Sequence, residues 1–155
     1  IYQLYLIFKT KVRKQKDIYY RYIVFSVINF IIALVLVCFY FVLSNDYLLF
    51  ISGFIFLLGF LTTIITAHLY KIIPFLVWFH RFSSLVGKQK VPMLADMVPV
   101  KSSDFGFAFY LLGFILSLIA FIFSSDILFK SAVSFLFVGT SFIVKDVFYI
   151  INFKG

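Results

Sequence analysis

The sequence predicts an all-α fold, a polytopic bundle of transmembrane helices with four full spans and one partial span. Hydrophobic residues make up 64% of the chain and charged residues 13%, whereas soluble domains have about 45–50% apolar and about 25% charged residues. The mean hydropathy is +1.12. The apolar residues also form runs of about 20 or more, which is long enough to cross a hydrocarbon layer about 30 Å thick. We therefore expect most of the chain to contact a lipid bilayer.

Short polar segments divide a single transmembrane domain, residues 1–155, into its spans. The partial span covers about residues 1–8, and the full spans cover about residues 22–43, 47–73, 105–123 and 127–152. Because Ile1 is not a methionine and the first run is too short to cross a bilayer, we interpret the chain as a fragment or a processed product. The remaining helices of a larger membrane protein or complex are then its expected partners.

Three Ser- and Asp-containing triplets precede apolar runs: Ser44-Asn45-Asp46, Ser102-Ser103-Asp104 and Ser124-Ser125-Asp126. Such side chains accept hydrogen bonds from the unpaired N–H groups of a first helical turn. The triplets therefore predict three helix starts.

The positive charges predict the orientation in the membrane. All Lys and Arg residues except Lys130 lie at alternate ends of the apolar runs, which is the positive-inside pattern. Loops 9–21 and 71–104 are then cytoplasmic, and we expect a multi-pass protein of a bacterial inner membrane. The net charge of +8 does not indicate nucleic-acid binding, because that needs a continuous basic face on a water-exposed domain.

Small and polar residues recur along one face of each later span, which predicts close helix packing in lipid. In the second span they are Ser52, Gly59, Thr63, Thr66 and Tyr70; in the third, Gly106, Gly113, Ser117, Ala120 and Ser124; in the fourth, Ala132, Gly139 and Asp146. We interpret these faces as packing seams. Ser134, Ser141 and Lys145 lie on the opposite face of the fourth span.

Asn29, Asp146 and Lys145 are the intramembrane polar candidates. The Asn29 amide needs a partner in hydrocarbon, so it serves either as a helix–helix contact or as a ligand contact. Asp146 shares its face with Gly139 and should point into the bundle, toward a basic residue or a protonatable path. The alternative is an interfacial charge near Lys154. Lys145 projects about 100° away from Asp146, so the two do not pair.

Pro74 predicts a kink or an end of the second span, because it removes a backbone donor. The following aromatic residues repeat at helical spacing, which predicts a short interfacial helix over about residues 75–86. Trp78, Arg81 and Lys71 are the expected interface anchors.

Two histidines raise a metal or haem hypothesis, with His68 as the candidate ligand. His68 and His80 are about 18 Å apart on a straight helix and are separated by Pro74, so one ion does not easily bind both. The alternative for His68 is a hydrogen-bonded residue near a helix end. We place His80 at the interface. Cys38 lies in an apolar run, and no hydrolytic or nucleotide-binding motif is present, so the catalytic residues are unknown and the question of enzymatic activity stays open.

The segment HLYKIIPFLVWFH, from His68 to His80, together with Gly87-Lys88 and VPMLADMVP at residues 91–99, resembles a known group of proteins. These are uncharacterised multi-pass bacterial inner-membrane proteins loosely related to subunit I of the haem–copper oxidases and to the NnrS proteins of the nitric-oxide response. The resemblance implies a larger helix bundle and a haem or copper cofactor held by histidines. His68 alone in this chain would be such a ligand.

Three functions are therefore expected as alternatives. The first is a haem- or copper-associated membrane protein linked to respiration or the nitric-oxide response. The second, indicated by Asn29, Asp146 and the packing seams, is a transporter or channel module. The third is a structural or assembly subunit of the membrane, in which every polar residue serves packing.

Overall fold

A computed structural model describes residues 17–153 of the chain. The predicted partial span at residues 1–8 and most of loop 9–21 lie outside the described residues. Within them every regular element is helical, and four helices are long and apolar enough to cross a membrane. The predicted all-α fold class is thereby confirmed, and the four helices indicate a multi-pass membrane protein.

The first span is α1, Ile18–Leu43. The second consists of α2 (Asp46–Phe54), a π-helical segment (Ile55–Leu61) and α3 (Thr62–Phe82), which follow one another without a break. A 3₁₀ turn, Ser83–Leu85, ends this helix, and a second one, Leu94–Met97, lies in the following segment. The third span is α4, Val100–Phe123, and the fourth is α5, Asp126–Ile151.

Two of the three predicted helix starts are confirmed by their capping bonds. The Asn45 side chain accepts a hydrogen bond from the Tyr47 N–H at 3.0 Å, and the Ser125 hydroxyl accepts one from the Leu128 N–H at 3.5 Å. The third prediction is wrong, because α4 begins at Val100 and the triplet at residues 102–104 lies inside its first turns. Pro99 precedes the helix, where the donor that proline lacks is not needed.

Pro74 lies inside α3, and the helix does not end there. The segment predicted as a separate interfacial helix at residues 75–86 is instead the last part of α3 and its 3₁₀ turn. A proline removes one backbone hydrogen bond. Transmembrane helices tolerate that loss where neighbouring helices or side chains satisfy the backbone groups that it frees. Pro74 is itself buried within the bundle.

The helices form two antiparallel hairpins, α1 with the α2–α3 helix and α4 with α5, and α4–α5 is the most extensively packed pair. Glycines allow this approach: a Cβ on Gly113 would lie 2.6 Å from the Leu136 nitrogen, and one on Gly139 would lie 2.6 Å from the Tyr110 nitrogen. The predicted seams are therefore confirmed as helix contacts, apart from Ser124, which is exposed and ends α4.

The two ends of the bundle differ. The turn end carries Ser44–Asn45 and Ser124–Ser125, and there the Tyr47 hydroxyl donates to the Phe121 carbonyl between the hairpins. The loop end carries residues 86–99 and the start of α1. At the loop end α3 packs against α5, in a core of Ile18, Tyr22, Ala67, Tyr70, Ile143 and Ile150. Large apolar side chains such as Phe41, Ile65 and Phe137 are exposed on the outside, where they suit lipid.

Candidate functional site

The most unusual residue in the core is Asp146, which has no exposed surface. Its Oδ2 accepts a hydrogen bond of 2.7 Å from the Tyr70 hydroxyl. Asp146 points inward because it lies two turns from Gly139, on the face that α5 packs against its neighbours. Since Tyr70 belongs to α3 and Asp146 to α5, this hydrogen bond joins the two hairpins.

Tyr22 of α1 completes the cluster and is also fully buried. Its ring stacks on Tyr70, with centroids 5.9 Å apart and planes 20° apart. The ring also meets the edge of Phe107 from α4, at 4.9 Å. All four spans therefore contribute to the surroundings of the carboxyl group.

Two oxygens of the cluster lack hydrogen-bond partners: Oδ1 of Asp146 and the Tyr22 hydroxyl. Buried polar atoms are almost always paired in folded proteins, and those that are not call for an explanation. Two such atoms in one cluster make this cluster the candidate functional site among the described residues.

No described basic residue forms an ion pair with Asp146. Lys145 is exposed and lies over the Phe142 ring, at 5.5 Å from its centroid. Arg21 pairs with Asp104 at 3.0 Å. Lys154, the neighbour considered in the interfacial alternative, lies outside the described residues. Among residues 17–153, Asp146 is therefore a buried carboxyl group bonded to a tyrosine.

Asn29 lies at a different contact and is separate from the Asp146 cluster. Its Nδ2 donates to the Phe25 carbonyl of its own helix at 2.8 Å, and its side chain packs against Gly59, where a Cβ would lie 2.7 Å from Asn29 Cγ. This placement fits the helix-contact alternative. Gly59 belongs to the π-helical segment, and the Tyr110 hydroxyl donates to the Leu58 carbonyl of that segment at 2.8 Å. π-Helical turns are frequent at functional sites.

The two histidines lie apart from this cluster and on the outside of α3. His68 is exposed, and its Nδ1 donates to the Ile64 carbonyl at 2.7 Å. His80 is exposed as well and bonds the Leu76 carbonyl in the same way, at 2.8 Å. Within the described part of the chain, no group of three or more metal-ligating side chains occurs.

The three expected anchors hold the loop end together. The Trp78 Nε1 donates to the Pro92 carbonyl at 2.9 Å, and Arg81 donates to the Phe153 carbonyl at 2.6 Å. The Lys71 ammonium lies 4.5 Å from the centroid of the Tyr19 ring, a cation–π contact. They tie the 86–99 segment, α5 and α1 to α3.

Sequence reasoning found Asp146 but not its partners. Tyr70 lies on the packing seam of the second span, and Tyr22 lies two turns before Asn29 on the same face of the first span, so the burial of both was foreseeable. The bond of Tyr70 to Asp146 and the stacking of Tyr22 on Tyr70 were not foreseeable, because the sequence does not state which helices are neighbours. The signal that could have identified the partners is that Tyr22 and Tyr70 both lie on inward faces of their spans, at the loop end of the bundle.

Comparisons of the chain with protein-family models, with curated proteins and with solved structures found no match. The resemblance of the His68–His80 segment therefore stays a prediction from the sequence.

Proposed function

We propose that the chain is a transporter or channel module of a membrane protein in which Asp146 binds and releases a transported or coupling proton. The observation that carries this proposal is the complete burial of Asp146 at the contact between the two hairpins. An ionisable side chain inside a membrane is costly, and such residues typically serve ion or substrate pathways.

The location of Asp146 supports a coupling role. Its bond to Tyr70 is one of the polar links between the hairpins at the loop end, so a change of charge on the carboxyl group acts directly on their packing. A carboxylate needs either water or a cation, whereas a protonated carboxyl group tolerates the closed core. Proton release and opening of the contact are therefore linked. The positive-inside pattern supports a cytoplasmic loop end and a bacterial inner membrane.

The test is proton flux into vesicles that contain the purified chain, driven by a potassium diffusion potential and read with a pH-sensitive dye inside. We expect a flux above that of protein-free vesicles, and Asp146→Asn should reduce it at least tenfold because the amide cannot release a proton. Ser141→Ala is the matched control, since Ser141 lies on the exposed face of the same helix and should keep the parent rate. Unchanged flux in Asp146→Asn would remove Asp146 from the mechanism and favour a structural or assembly subunit.

A haem- or copper-associated protein is the second candidate, and it rests on His68. Because Nδ1 donates its proton to the Ile64 carbonyl, Nε2 is the nitrogen with the lone pair, the form in which histidine ligates metals. His68 faces outward, so further ligands would come from other helices of a larger bundle. Optical spectra and a copper assay of the purified protein test this candidate. The absence of both a Soret band and bound copper would rule it out, and loss of either signal in His68→Ala would support it. His80→Ala is the control.

A further inference from the structure

The hydrogen bond of Asp146 assigns different roles to its two oxygens. The Tyr70 hydroxyl donates to Oδ2, so Oδ2 acts as an acceptor. Oδ1 has no partner, and neither has the nearby Tyr22 hydroxyl. Leaving such buried groups without a hydrogen-bond partner destabilises the folded state. One added proton shared between the two oxygens would give each of them a partner.

We propose that the cluster holds such a proton: Asp146 is protonated in this packing, and its Oδ1–H group is donated to the hydroxyl oxygen of Tyr22. The inference rests on the proposed function and deepens it, because it assigns the proton to Oδ1 of Asp146 and identifies Tyr22 and Tyr70 as positioning residues of the proton site.

The chemistry of a carboxylic acid fits the observed pattern. A protonated carboxyl group has one carbonyl oxygen that accepts and one O–H group that donates. Oδ2 already accepts from Tyr70, so the proton belongs on Oδ1. The Tyr22 oxygen has free lone pairs and lies beside Tyr70, on whose ring its own ring stacks. The proposed bond therefore joins the two unpartnered oxygens of the cluster.

Among residues 17–153, the neighbours of the site supply no compensating positive charge. α1 contributes Tyr22, α3 contributes Tyr70, and α4 contributes Phe107 and, farther along, Tyr110, whose hydroxyl is committed to the Leu58 carbonyl. The preceding segment adds the apolar Val98. The described cations nearest in sequence to these residues, Arg21, Lys71 and Lys145, are engaged elsewhere as an ion pair and two ring contacts. An ionised Asp146 would be an uncompensated buried charge, which is strongly destabilising.

A bound metal cation fits less well. Hard cations such as Ca²⁺ and Mg²⁺ take about six or more oxygen ligands. In the described cluster the unpartnered oxygens are those of Asp146 and Tyr22 alone. A proton needs only this donor–acceptor pair.

Release of the proton from Asp146 requires water at the contact between the hairpins. When the contact between the hairpins admits water at the loop end, the O–H bond at Oδ1 breaks, the proton passes to that water and the electron pair stays on the carboxylate. The Tyr70 hydroxyl keeps its bond to Oδ2, which becomes stronger because the acceptor is now charged.

Infrared spectroscopy of the full chain in lipid vesicles at neutral pH tests the proposal through the C=O stretch of protonated carboxyl groups. We expect one such band, absent in Asp146→Asn and retained in Asp104→Asn, which removes a half-exposed carboxylate of an ion pair. Tyr22→Phe keeps the stacked ring and removes the acceptor, so it should move the band to higher frequency. Tyr149→Phe, an exposed tyrosine of α5, should leave it in place.

The outcomes separate this inference from the proposed function. A parent spectrum without the band, or a band that survives Asp146→Asn, overturns the proton site even when flux depends on Asp146. A band that appears only after sodium is removed overturns it in favour of a bound cation. A band with unchanged Asp146→Asn flux supports the proton site and contradicts transport. If Tyr22→Phe fails to fold, 3-fluorotyrosine at position 22 replaces it, and an unmoved band excludes Tyr22 as the acceptor.

Discussion

At the scale of single residues, the hydrogen bond from Tyr70 to Asp146 is the polar contact on which the site depends most. It joins two helices that are distant in the sequence and satisfies one oxygen of a fully buried carboxyl group. Replacement of Tyr70 by phenylalanine keeps the ring that stacks on Tyr22 and removes only the donor. The change therefore isolates the hydrogen bond from the packing.

We expect Tyr70→Phe to lower the free energy of unfolding by about 1–2 kcal/mol, because it leaves Oδ2 buried without a donor. Reversible unfolding of the protein in mixed micelles measures this. Tyr149→Phe is the control, since Tyr149 is exposed on α5 and should change the stability little. Equal stability of Tyr70→Phe and the parent would show that the hydrogen bond is not formed in the folded protein.

The sequence predicted residue positions better than residue contacts. The hydrophobic period placed Asp146 on an inward face, and the structure has it fully buried. Counted at 100° per residue, His68 lies opposite the small residues of its span, and the structure has it exposed. The pairing of Asp146 with Tyr70 required knowledge of which helices touch, and that depends on packing between spans far apart in the sequence.

At the scale of elements, the close approach of α4 and α5 depends on glycines that face the partner's backbone. Gly139 is the clearest case, because a Cβ there would lie 2.6 Å from the Tyr110 nitrogen and 2.9 Å from its Cα. Backbone atoms cannot rotate away as a side chain can. The helices themselves would have to separate.

Gly139→Ala should therefore lower the free energy of unfolding by about 1–3 kcal/mol, the usual cost of an overpacked contact. The same unfolding measurement applies. Gly53→Ala is the matched control, because no atom lies within 4 Å of a Cβ at Gly53. Alanine is the better helix former, so this control should be as stable as the parent or slightly more stable. A Gly139→Ala variant as stable as Gly53→Ala would contradict the packing described here.

Element boundaries were predictable where local chemistry decides them. Asn45 and Ser125 cap their helices as their side chains predict. The continuation of α3 through Pro74 and the π-helical segment at Ile55–Leu61 were not predictable. Both depend on support from neighbouring helices: Pro74 is buried in the bundle, and the Leu58 carbonyl receives a hydrogen bond from Tyr110 of α4.

At the scale of the whole molecule, two hairpins pack through apolar and small residues, and the fully buried carboxyl group lies between them at the loop end. The arrangement suits a device in which the hairpins shift relative to each other. We propose that protonated Asp146 stabilises the closed contact and that the carboxylate favours an opened, hydrated one. We therefore propose that the function depends on one carboxyl group, that of Asp146, at the contact between the two hairpins.

The most direct test of this central claim is the initial rate of proton flux in vesicles for three chains: the parent, Asp146→Glu and Asp146→Asn. The claim predicts a reduced but measurable rate for the glutamate, which retains a releasable proton in a tighter site, and no rate above protein-free vesicles for the asparagine. An asparagine variant that transports protons at the parent rate would contradict it.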